Sequence, residues 1–187
     1  MQHDITLAHG SVRLRPLQPD DAPALRAIVD QEIWSGMSVP LPRTDQEMAQ
    51  HLLELVSRPA LYGFAVEHEG AVVGLTTLYD LVPRLRVEIG NTHYARELWG
   101  GALNPTVKLL LLDHAFDTLD VGRVALRCDS RNERSRRAIL RLGATYEGTL
   151  RRFRTAADGT IADAAYFSIL REEYPAIRTG LLSRIER

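Results

Sequence analysis

The sequence has very little cysteine and no long apolar segment. Its one cysteine, Cys128, rules out a disulfide within the chain, which suits a reducing compartment. The most apolar stretch, residues 109–112, is far shorter than the roughly 20 residues needed to span a bilayer. Neither the apolar core nor the cleavage signal of a secretory leader is present near the N-terminus. We therefore expect a soluble, cytoplasmic protein that has no membrane partner.

An excess of charge of one sign is lacking as well. The 23 Lys and Arg residues nearly balance the 24 Asp and Glu residues, for a formal net charge of −1. Such a balance gives no reason to expect nucleic acid as a partner. No group of His, Cys, Asp and Glu has the spacing of metal ligands, so we expect no metal. Two arginine clusters leave room for a local anion site: Arg134, Arg136, Arg137 and Arg141, and then Arg151, Arg152 and Arg154.

What is present indicates an ordinary globular protein. The 187 residues are 45% apolar and 25% charged, and the length suits one domain. Hydrophobic periodicity predicts a strand, two helices, a set of antiparallel strands, a helix, a strand, a helix and a final pair of strands. We therefore expect residues 1–187 to form a single α/β domain, in which helices flank a mixed, mostly antiparallel central sheet.

Capping and turn residues predict where several of these elements begin and end. Thr44 and Glu47 have the spacing of a capping box and predict the start of the second helix. Asn104 is expected to cap the long buried helix, with Pro105 as its first helical residue. Gly143 is placed to close the short helix that precedes it, in the left-handed conformation.

The segment from residue 87 to residue 116 joins a strand to the long helix through a loop with two glycines. Gly100 and Gly101 allow the backbone to bend and a ligand to approach without a Cβ in the way. Unpaired N–H groups there, with the helix N-terminus behind them, can form a phosphate site within reach of Lys108. Two plainer interpretations stay open: the glycines form an ordinary turn, and Lys108 is exposed to solvent on an amphipathic helix.

A second polar pair follows the next strand. Asn132 lies just beyond the strand end, and Ser135 is placed on the inward face of the following helix, where its hydroxyl can donate to a ligand. The alternative is local capping, with Asn132 as the N-cap and Ser135 in the first turn.

Four segments, taken in chain order, carry a family resemblance. They are VEIG at residues 87–90, ELWGGALNPTVKLLLLDHAF at 97–116, NERSRRAILRLGATYEGTLR at 132–151 and YFSILREEYP at 166–175. The chain resembles the GNAT superfamily of N-acetyltransferases, and within it the branch similar to RimJ and RimL, over roughly residues 12–175. The resemblance implies acetyl-CoA or another acyl-CoA as co-substrate. It also implies that the fourth and fifth strands splay apart to admit the pantetheine arm.

The resemblance, together with the reach of Lys108 toward the loop, predicts which residues contact the coenzyme. These residues are Asn91, Thr92, Trp99, Gly100, Gly101, Ala102, Asn104, Lys108, Asn132 and Ser135. One departure concerns the first position of the loop, where Glu97 stands in place of the usual Gln or Arg. A carboxylate beside a pyrophosphate is unfavourable. We therefore expect Asn104 and Lys108 to supply more of the phosphate contact.

Glu88 is the candidate general base, because it lies on the fourth strand and faces away from Val87 and Ile89. The alternatives are an ordinary solvent-facing strand glutamate and a partner for Arg86. Tyr166 and Cys128 are candidate proton donors to the leaving thiolate, although core packing is the commoner role of both residue types.

Trp34 lies in the loop between the first two helices and is a candidate wall of the acceptor site. Its alternative role is a staple that holds this loop to the core.

These observations predict an N-acyltransferase that moves an acetyl or other acyl group from acyl-CoA to a primary amine by direct attack on the thioester. The acceptor is a protein N-terminus or a small amine, and a homodimer is an open option. A non-catalytic acyl-CoA-binding regulator is the alternative function. A dinucleotide-dependent oxidoreductase is disfavoured because the sequence has no G-x-G-x-x-G motif.

Overall fold

The computed structural model describes residues 3–186, which form an eight-stranded sheet and six α-helices. The strands are β1 (Leu7–His9), β2 (Val12–Pro16), β3 (Tyr62–His68), β4 (Ala71–Val82), β5 (Arg86–Tyr94), β6 (Arg123–Asp129), β7 (Thr145–Thr155) and β8 (Ile161–Leu170). The helices are α1 (Ala22–Ile28), α2 (Gln31–Trp34), α3 (Asp45–Val56), α4 (Leu103–Asp113), α5 (Glu133–Leu142) and α6 (Tyr174–Ile185). The strand order in the sheet is β1-β2-β3-β4-β5-β6-β8-β7. This arrangement confirms the predicted α/β fold.

The two central strands separate along their length. All neighbouring strands pair antiparallel except β5 and β6, whose parallel pairing ends at Ile89 and Leu126. Beyond that pair β5 continues to Tyr94 and β6 to Asp129. Strands β5 and β6 correspond to the fourth and fifth strands named in the resemblance, because the short β1 adds one strand at the start of the count. The predicted gap between them is therefore confirmed.

Side-chain alternation along the strands produces two apolar layers, one on each face of the sheet. Val87 and Ile89 of β5 face α4 and α6 in a core that also contains Phe116. The opposite face of the sheet is covered by α1, α2 and α3, where Met48 and Leu75 meet. Because residues 87 and 89 face α4, the intervening Glu88 faces the side that carries α1 to α3.

Two of the three helix ends predicted from local residue patterns are found in the structure. Thr44 caps α3 by accepting a hydrogen bond from the N–H of Glu47 at 3.1 Å, and Gly143 ends α5 with a φ of +98°, as predicted. The predicted start of α4 at Asn104 was wrong, because the cap is Ala102. Its carbonyl accepts both the N–H and the hydroxyl of Thr106, at 3.0 and 2.8 Å. These two bonds start the helix earlier than the asparagine–proline signal indicates.

Helix α4 is almost entirely covered by the rest of the protein. All of its residues except Asn104 and Asp113 are buried. It continues into one π-helical turn, His114–Thr118. Nevertheless, among residues 3–186 there is no helix with enough length and apolar character to cross a bilayer.

Candidate functional site

The loop before α4 presents free backbone N–H groups around a space without side chains. Gly100 has a φ of +78°, and a Cβ added to it would meet nothing within 4 Å. A Cβ on Gly101 would meet only the carbonyl of Leu98, at 3.7 Å. Within residues 3–186, the N–H groups of Gly100, Gly101 and Ala102 donate to no other backbone group. The first N–H groups of α4 also lack intrahelical partners. Together these groups form a concave site for an anion.

A cavity of about 330 Å³ lies against this loop. On one side it is lined by Trp99, Gly101 and Ala102, which are among the predicted coenzyme residues. On the other side it is lined by the β1–β2 turn, residues 9–12, and by Ile185 of α6. Space for a ligand is therefore present on the α6 side of the α4 N-terminus, whereas the gap between β5 and β6 lies on the other side.

Trp99 links the glycine loop to the start of α5. Its indole N–H donates to the carbonyl of Tyr94 at 3.1 Å. The guanidinium of Arg134 lies 3.6 Å from the centre of the ring, and that of Arg96 lies 4.9 Å from it. Since Arg134 belongs to the first turn of α5, the two segments that the resemblance assigns to the coenzyme are adjacent in the fold.

Asn132 and Ser135 lie at the α5 side of the gap. The Asn132 side chain accepts the N–H of Ser135 at 2.9 Å, so the capping alternative describes Asn132 correctly. The Ser135 hydroxyl contacts the thiol of Cys128, at the end of β6. Burial raises the pKa of Cys128 to about 11, although the contact with Ser135 acts in the opposite direction. The thiol is therefore protonated at neutral pH, and the Ser135 side chain adjoins the β6 edge of the gap.

The β5 edge of the gap begins where the strand leaves its regular pairing. Asn91 has a φ of +49°, and its side-chain amide donates to the hydroxyl of Thr77 at 3.1 Å. The Thr92 hydroxyl lies 2.8 Å from that of Thr76, on the α4 side of the sheet. A left-handed residue such as Asn91 turns the strand locally and exposes backbone groups that a regular ladder would use.

Lys108 lies between α4 and β5 and is 5% exposed. Its ammonium donates to the Thr92 hydroxyl at 3.0 Å. Burial lowers the pKa of Lys108 to about 7. The alternative of solvent exposure was therefore wrong. Lys108 is directed at the strand that borders the gap, and its observed contact is with Thr92, not with the glycine loop.

Glu88 belongs to a buried charged cluster on the face opposite α4. Its carboxylate accepts the hydroxyl of Tyr79 and lies 3.0 Å from Nε of Arg127. Burial raises the pKa of Glu88, whereas Tyr79 and Arg127 act to lower it. The side chain is 7% exposed, so Glu88 is not an ordinary solvent-facing glutamate, and its ion-pair partner is Arg127 instead of Arg86.

Tyr166 belongs to the same cluster. Its hydroxyl accepts a hydrogen bond from Nη1 of Arg127 at 2.7 Å, and burial raises its pKa. Phe153 meets the Tyr166 ring edge-on at 5.6 Å. The sequence reasoning missed Arg127, Tyr79 and Phe153, since only the register between strands places them around Glu88. The one available signal for Arg127 was its position next to Cys128 on the predicted strand.

Trp34 is fully buried beneath the loop that follows α2. Its indole N–H donates to the carbonyl of Val39 at 2.9 Å, and its ring lies 5.4 Å from that of His93. With no exposed surface, Trp34 does not line an open site. The observed contacts are those of the alternative role, a staple that holds the loop to the core.

The same loop is connected to the far end of the sheet. Arg154 of β7 donates to the carbonyls of Gly36, at 2.8 Å, and Met37. At the Leu150–Arg154 bulge Arg152 has a φ of +50°. The loop after α2 and the β7–β8 hairpin therefore meet on the face of the sheet that carries Glu88.

Several known proteins are similar to this chain. A family model described as an acetyltransferase (GNAT) domain matches residues 11–145. The uncharacterized N-acetyltransferase p20 of Bacillus licheniformis is 27% identical over 178 residues, which cover 90% of this chain and 98% of p20. A solved acetyltransferase candidate from T. thermophilus is 33% identical, with a TM-score of 0.91 and 99% of each chain covered. Mycobacterium smegmatis RimJ, solved in complex with CoA-disulfide, has a TM-score of 0.82 at 24% identity, with 96% of this chain and 94% of RimJ covered.

The family match includes the parts of the fold that build the site. Residues 11–145 contain β5, the glycine loop, α4, β6 and α5. The gap between β5 and β6 and the free N–H groups before α4 agree with what the resemblance implies. The chain belongs to the acetyltransferase (GNAT) family.

Proposed function

We propose that this acetyltransferase transfers an acetyl or related acyl group from acyl-CoA to a primary amine by direct attack on the thioester. GNAT enzymes use acetyl-CoA and act on amine acceptors, so the proposal concerns how this chain performs that reaction and on which acceptors. The observation that carries it is the set of free N–H groups at Gly100–Ala102, beside the gap between β5 and β6.

The coenzyme fits the residues around this gap. A pyrophosphate would be held by N–H groups of the glycine loop and by the positive end of the α4 dipole. The absence of side chains at Gly100 and Gly101 leaves space for it. The pantetheine arm would lie along residues 91–92 on one edge and beside Asn132 and Ser135 on the other.

The residues beyond the gap can supply the proton transfers. Glu88 has a raised pKa and can accept a proton from the attacking amine, directly or through water. Backbone N–H groups of residues 89–91 would stabilise the oxyanion. Tyr166 is protonated, and its oxygen already accepts from Arg127, so its own proton is free to go to the leaving thiolate.

We also propose the branch of the family and the class of acceptor. We place the chain in the RimJ/RimL-like branch, with a protein N-terminus or a small molecule as the acceptor and no metal in the reaction. The alternative remains an acyl-CoA-binding regulator that retains the coenzyme site without turnover.

A thiol-release assay with a panel of amines and several acyl-CoA donors tests the proposal. Steady, amine-dependent release of free thiol is the expected result. Tight coenzyme binding without release for any acceptor would support the regulator instead.

The variant Gly101→Val connects this activity to the glycine loop. A Cβ fits sterically at residue 101, so the fold should be retained while the valine side chain fills the anion site. We expect KM for acetyl-CoA to rise at least about tenfold, as for loss of one charge-assisted hydrogen bond. Gly122→Val is the matched control, since a Cβ there meets only carbonyl oxygens at 3.6 and 3.9 Å, at the opposite end of the sheet. An unchanged KM in Gly101→Val would contradict the proposed coenzyme site.

A further inference from the structure

The charged cluster around Glu88, on the face of the sheet opposite α4, has two polar atoms that form no hydrogen bond within the described protein. Oε1 of Glu88 accepts the hydroxyl of Tyr79 and lies 3.0 Å from Nε of Arg127. Nη1 of Arg127 donates to Tyr166. In the part of the chain that is described, no hydrogen bond involves Oε2 of Glu88 or Nη2 of Arg127. The ion pair thus offers one free acceptor atom and one free donor atom.

These two free atoms are not fully buried. Neither one is among the buried side-chain atoms of residues 3–186 that lack a hydrogen-bond partner. The Arg127 side chain is 32% exposed, whereas that of Glu88 is 7% exposed. Both atoms therefore keep some exposed surface at which a ligand can bind.

Arg127 is held in place before any ligand arrives. Its guanidinium carbon lies 5.6, 5.2 and 5.7 Å from the ring centres of Tyr79, Phe153 and Tyr166. Together with the bonds to Glu88 and Tyr166, these contacts restrict its rotamers. A preorganised guanidinium loses little conformational entropy when it binds an anion.

The nearby carboxylates other than Glu88 have partners of their own, since Asp80 pairs with Arg86 and Asp129 with Arg131. The neighbouring Arg123 is paired with Glu147, on β7. Arg154 is bonded to backbone carbonyls, so it adds positive charge to this face. A simple ammonium ion would meet a fixed cation here, whereas an amine that also carries a carboxylate would gain an ion pair.

We propose that Arg127 is a specificity-determining residue that binds a carboxylate on the acceptor, so that the preferred acceptor is an amino acid or a similar amine. This inference rests on the proposed function, because it names the acceptor class of that reaction. In such a molecule the amine and the carboxylate are attached to the same carbon, and the Glu88 and Arg127 side chains that would bind them are themselves adjacent, with Oε1 3.0 Å from Nε. Nη2 of Arg127 takes the carboxylate, and Oε2 of Glu88 takes the amine.

The reaction is then balanced without any redox step. The amine nitrogen forms the new C–N bond as the C–S bond of the thioester breaks. One proton of the nitrogen goes to Glu88, and the leaving thiolate takes the Tyr166 proton to become the free thiol. Transfer of the proton from Glu88 to Tyr166 then restores both groups.

The test compares matched acceptors that differ only in the carboxylate. Alanine, methionine and phenylalanine are each assayed against their amides and decarboxylated amines, with acetyl-CoA and thiol release as the readout. We expect kcat/KM to fall about tenfold or more when the carboxylate is removed. Arg127→Met should abolish this preference, and Arg127→Lys should retain part of it, because the charge remains without the planar fork. Arg178→Met is the control that should leave the preference unchanged, since Arg178 of α6 pairs with Asp113 of α4, on the opposite face of the sheet.

Binding of the amino acid is measured separately, so that the acceptor preference can be tested even if no turnover is found. The amino acid, but not its amide, should raise the melting temperature of the CoA-bound protein, and Arg127→Met should lose this effect. Equal kcat/KM across each acceptor set, an unchanged preference in Arg127→Met, or equal melting shifts would overturn the inference. A further outcome is that thiol release is fastest with succinyl-CoA and uncharged amines, and that this preference is lost in Arg127→Met. Arg127 would then bind a carboxylate of the acyl donor, and the inference would be overturned. Selective binding of the amino acid with no thiol release for any acceptor would support the inference while the proposed catalysis failed.

Discussion

Lys108 shows how strongly burial changes the chemistry of a single residue. It is the only lysine of the chain, and its ammonium has one hydrogen-bond partner in the described structure, the Thr92 hydroxyl. An ammonium without a carboxylate partner is costly to bury, so the neutral amine is favoured. Lys108 therefore adjoins the β5 edge of the gap as a group that changes charge near neutral pH.

A direct titration tests this prediction. In protein labelled with ¹³C-lysine, the single side-chain signal should titrate with a midpoint near 7, against the ordinary value of 10.5. In denaturant the midpoint should return to the ordinary value. A midpoint near 10.5 in the folded protein would show that the ammonium is solvated, contrary to the structure.

The same shift predicts how stability depends on pH. The pKa of Lys108 is lowered on folding, from 10.5 to about 7, so the unfolded state binds more protons between these values. Stability from this residue is therefore present at high pH and is lost as pH falls toward 7. Lys108→Met should remove this contribution, which amounts to at most about 1.4 kcal/mol per pH unit. The free energy of unfolding is measured in urea at pH 6.5, 8 and 9.5. The excess of Lys108→Met over the parent protein should be largest at pH 6.5. An excess that does not change with pH would contradict the lowered pKa of Lys108.

At the level of the elements, the end of α5 is determined by both local and tertiary constraints. Gly143 has a φ of +98°, and a Cβ there would lie 2.9 Å from Cγ1 of Ile177 on α6. Gly159, in the β7–β8 turn, has a φ of +80° but no atom near its added Cβ. Both glycines thus have a positive φ, but only Gly143 is packed closely against another side chain.

Alanine substitutions separate these two effects. Gly159→Ala should lose about 1 kcal/mol of unfolding free energy, from backbone strain alone. Gly143→Ala should lose about 1 to 3 kcal/mol more, because Ile177 must move. Chemical denaturation measures both values. Equal losses would show that the α5–α6 contact adjusts freely and would contradict the packing argument.

At the level of the whole molecule, two apolar cores share one sheet. The core beneath α4 and α6 and the core beneath α1 to α3 lie on opposite faces of the sheet, and strands β3 and β4 contribute residues to both. Strands common to both layers should couple their unfolding. We therefore propose that the chain behaves as a single cooperative domain.

Thermal unfolding tests that proposal together with coenzyme binding. One transition is expected in calorimetry, and CoA at a hundredfold excess over its Kd should stabilise the protein by about 2.7 kcal/mol. For a protein of this size that corresponds to a rise in Tm of roughly 5 to 11 °C. Two separated transitions, of which CoA moves only one, would contradict the single-domain proposal.

Apart from the short β1 and α2, the sequence by itself determined the elements and several of their ends, because these depend on residues only a few positions apart. Thr44 and Gly143 are examples, and the resemblance added the gap between β5 and β6. At the start of α4 one local signal outweighed another, because the bonds from Thr106 to the carbonyl of Ala102 begin the helix before the asparagine–proline pair.

Only the tertiary structure decided what surrounds the reacting groups. The Glu88–Arg127 pair and the Lys108–Thr92 contact join segments that are far apart in the chain and depend on strand register and on the docking of α4. Burial then shifts the pKa values of Glu88 and Lys108, because the solvation that a side chain loses is determined by everything packed around it. Sequence periodicity specifies which face a side chain occupies, whereas its partner on that face is specified by the assembled sheet.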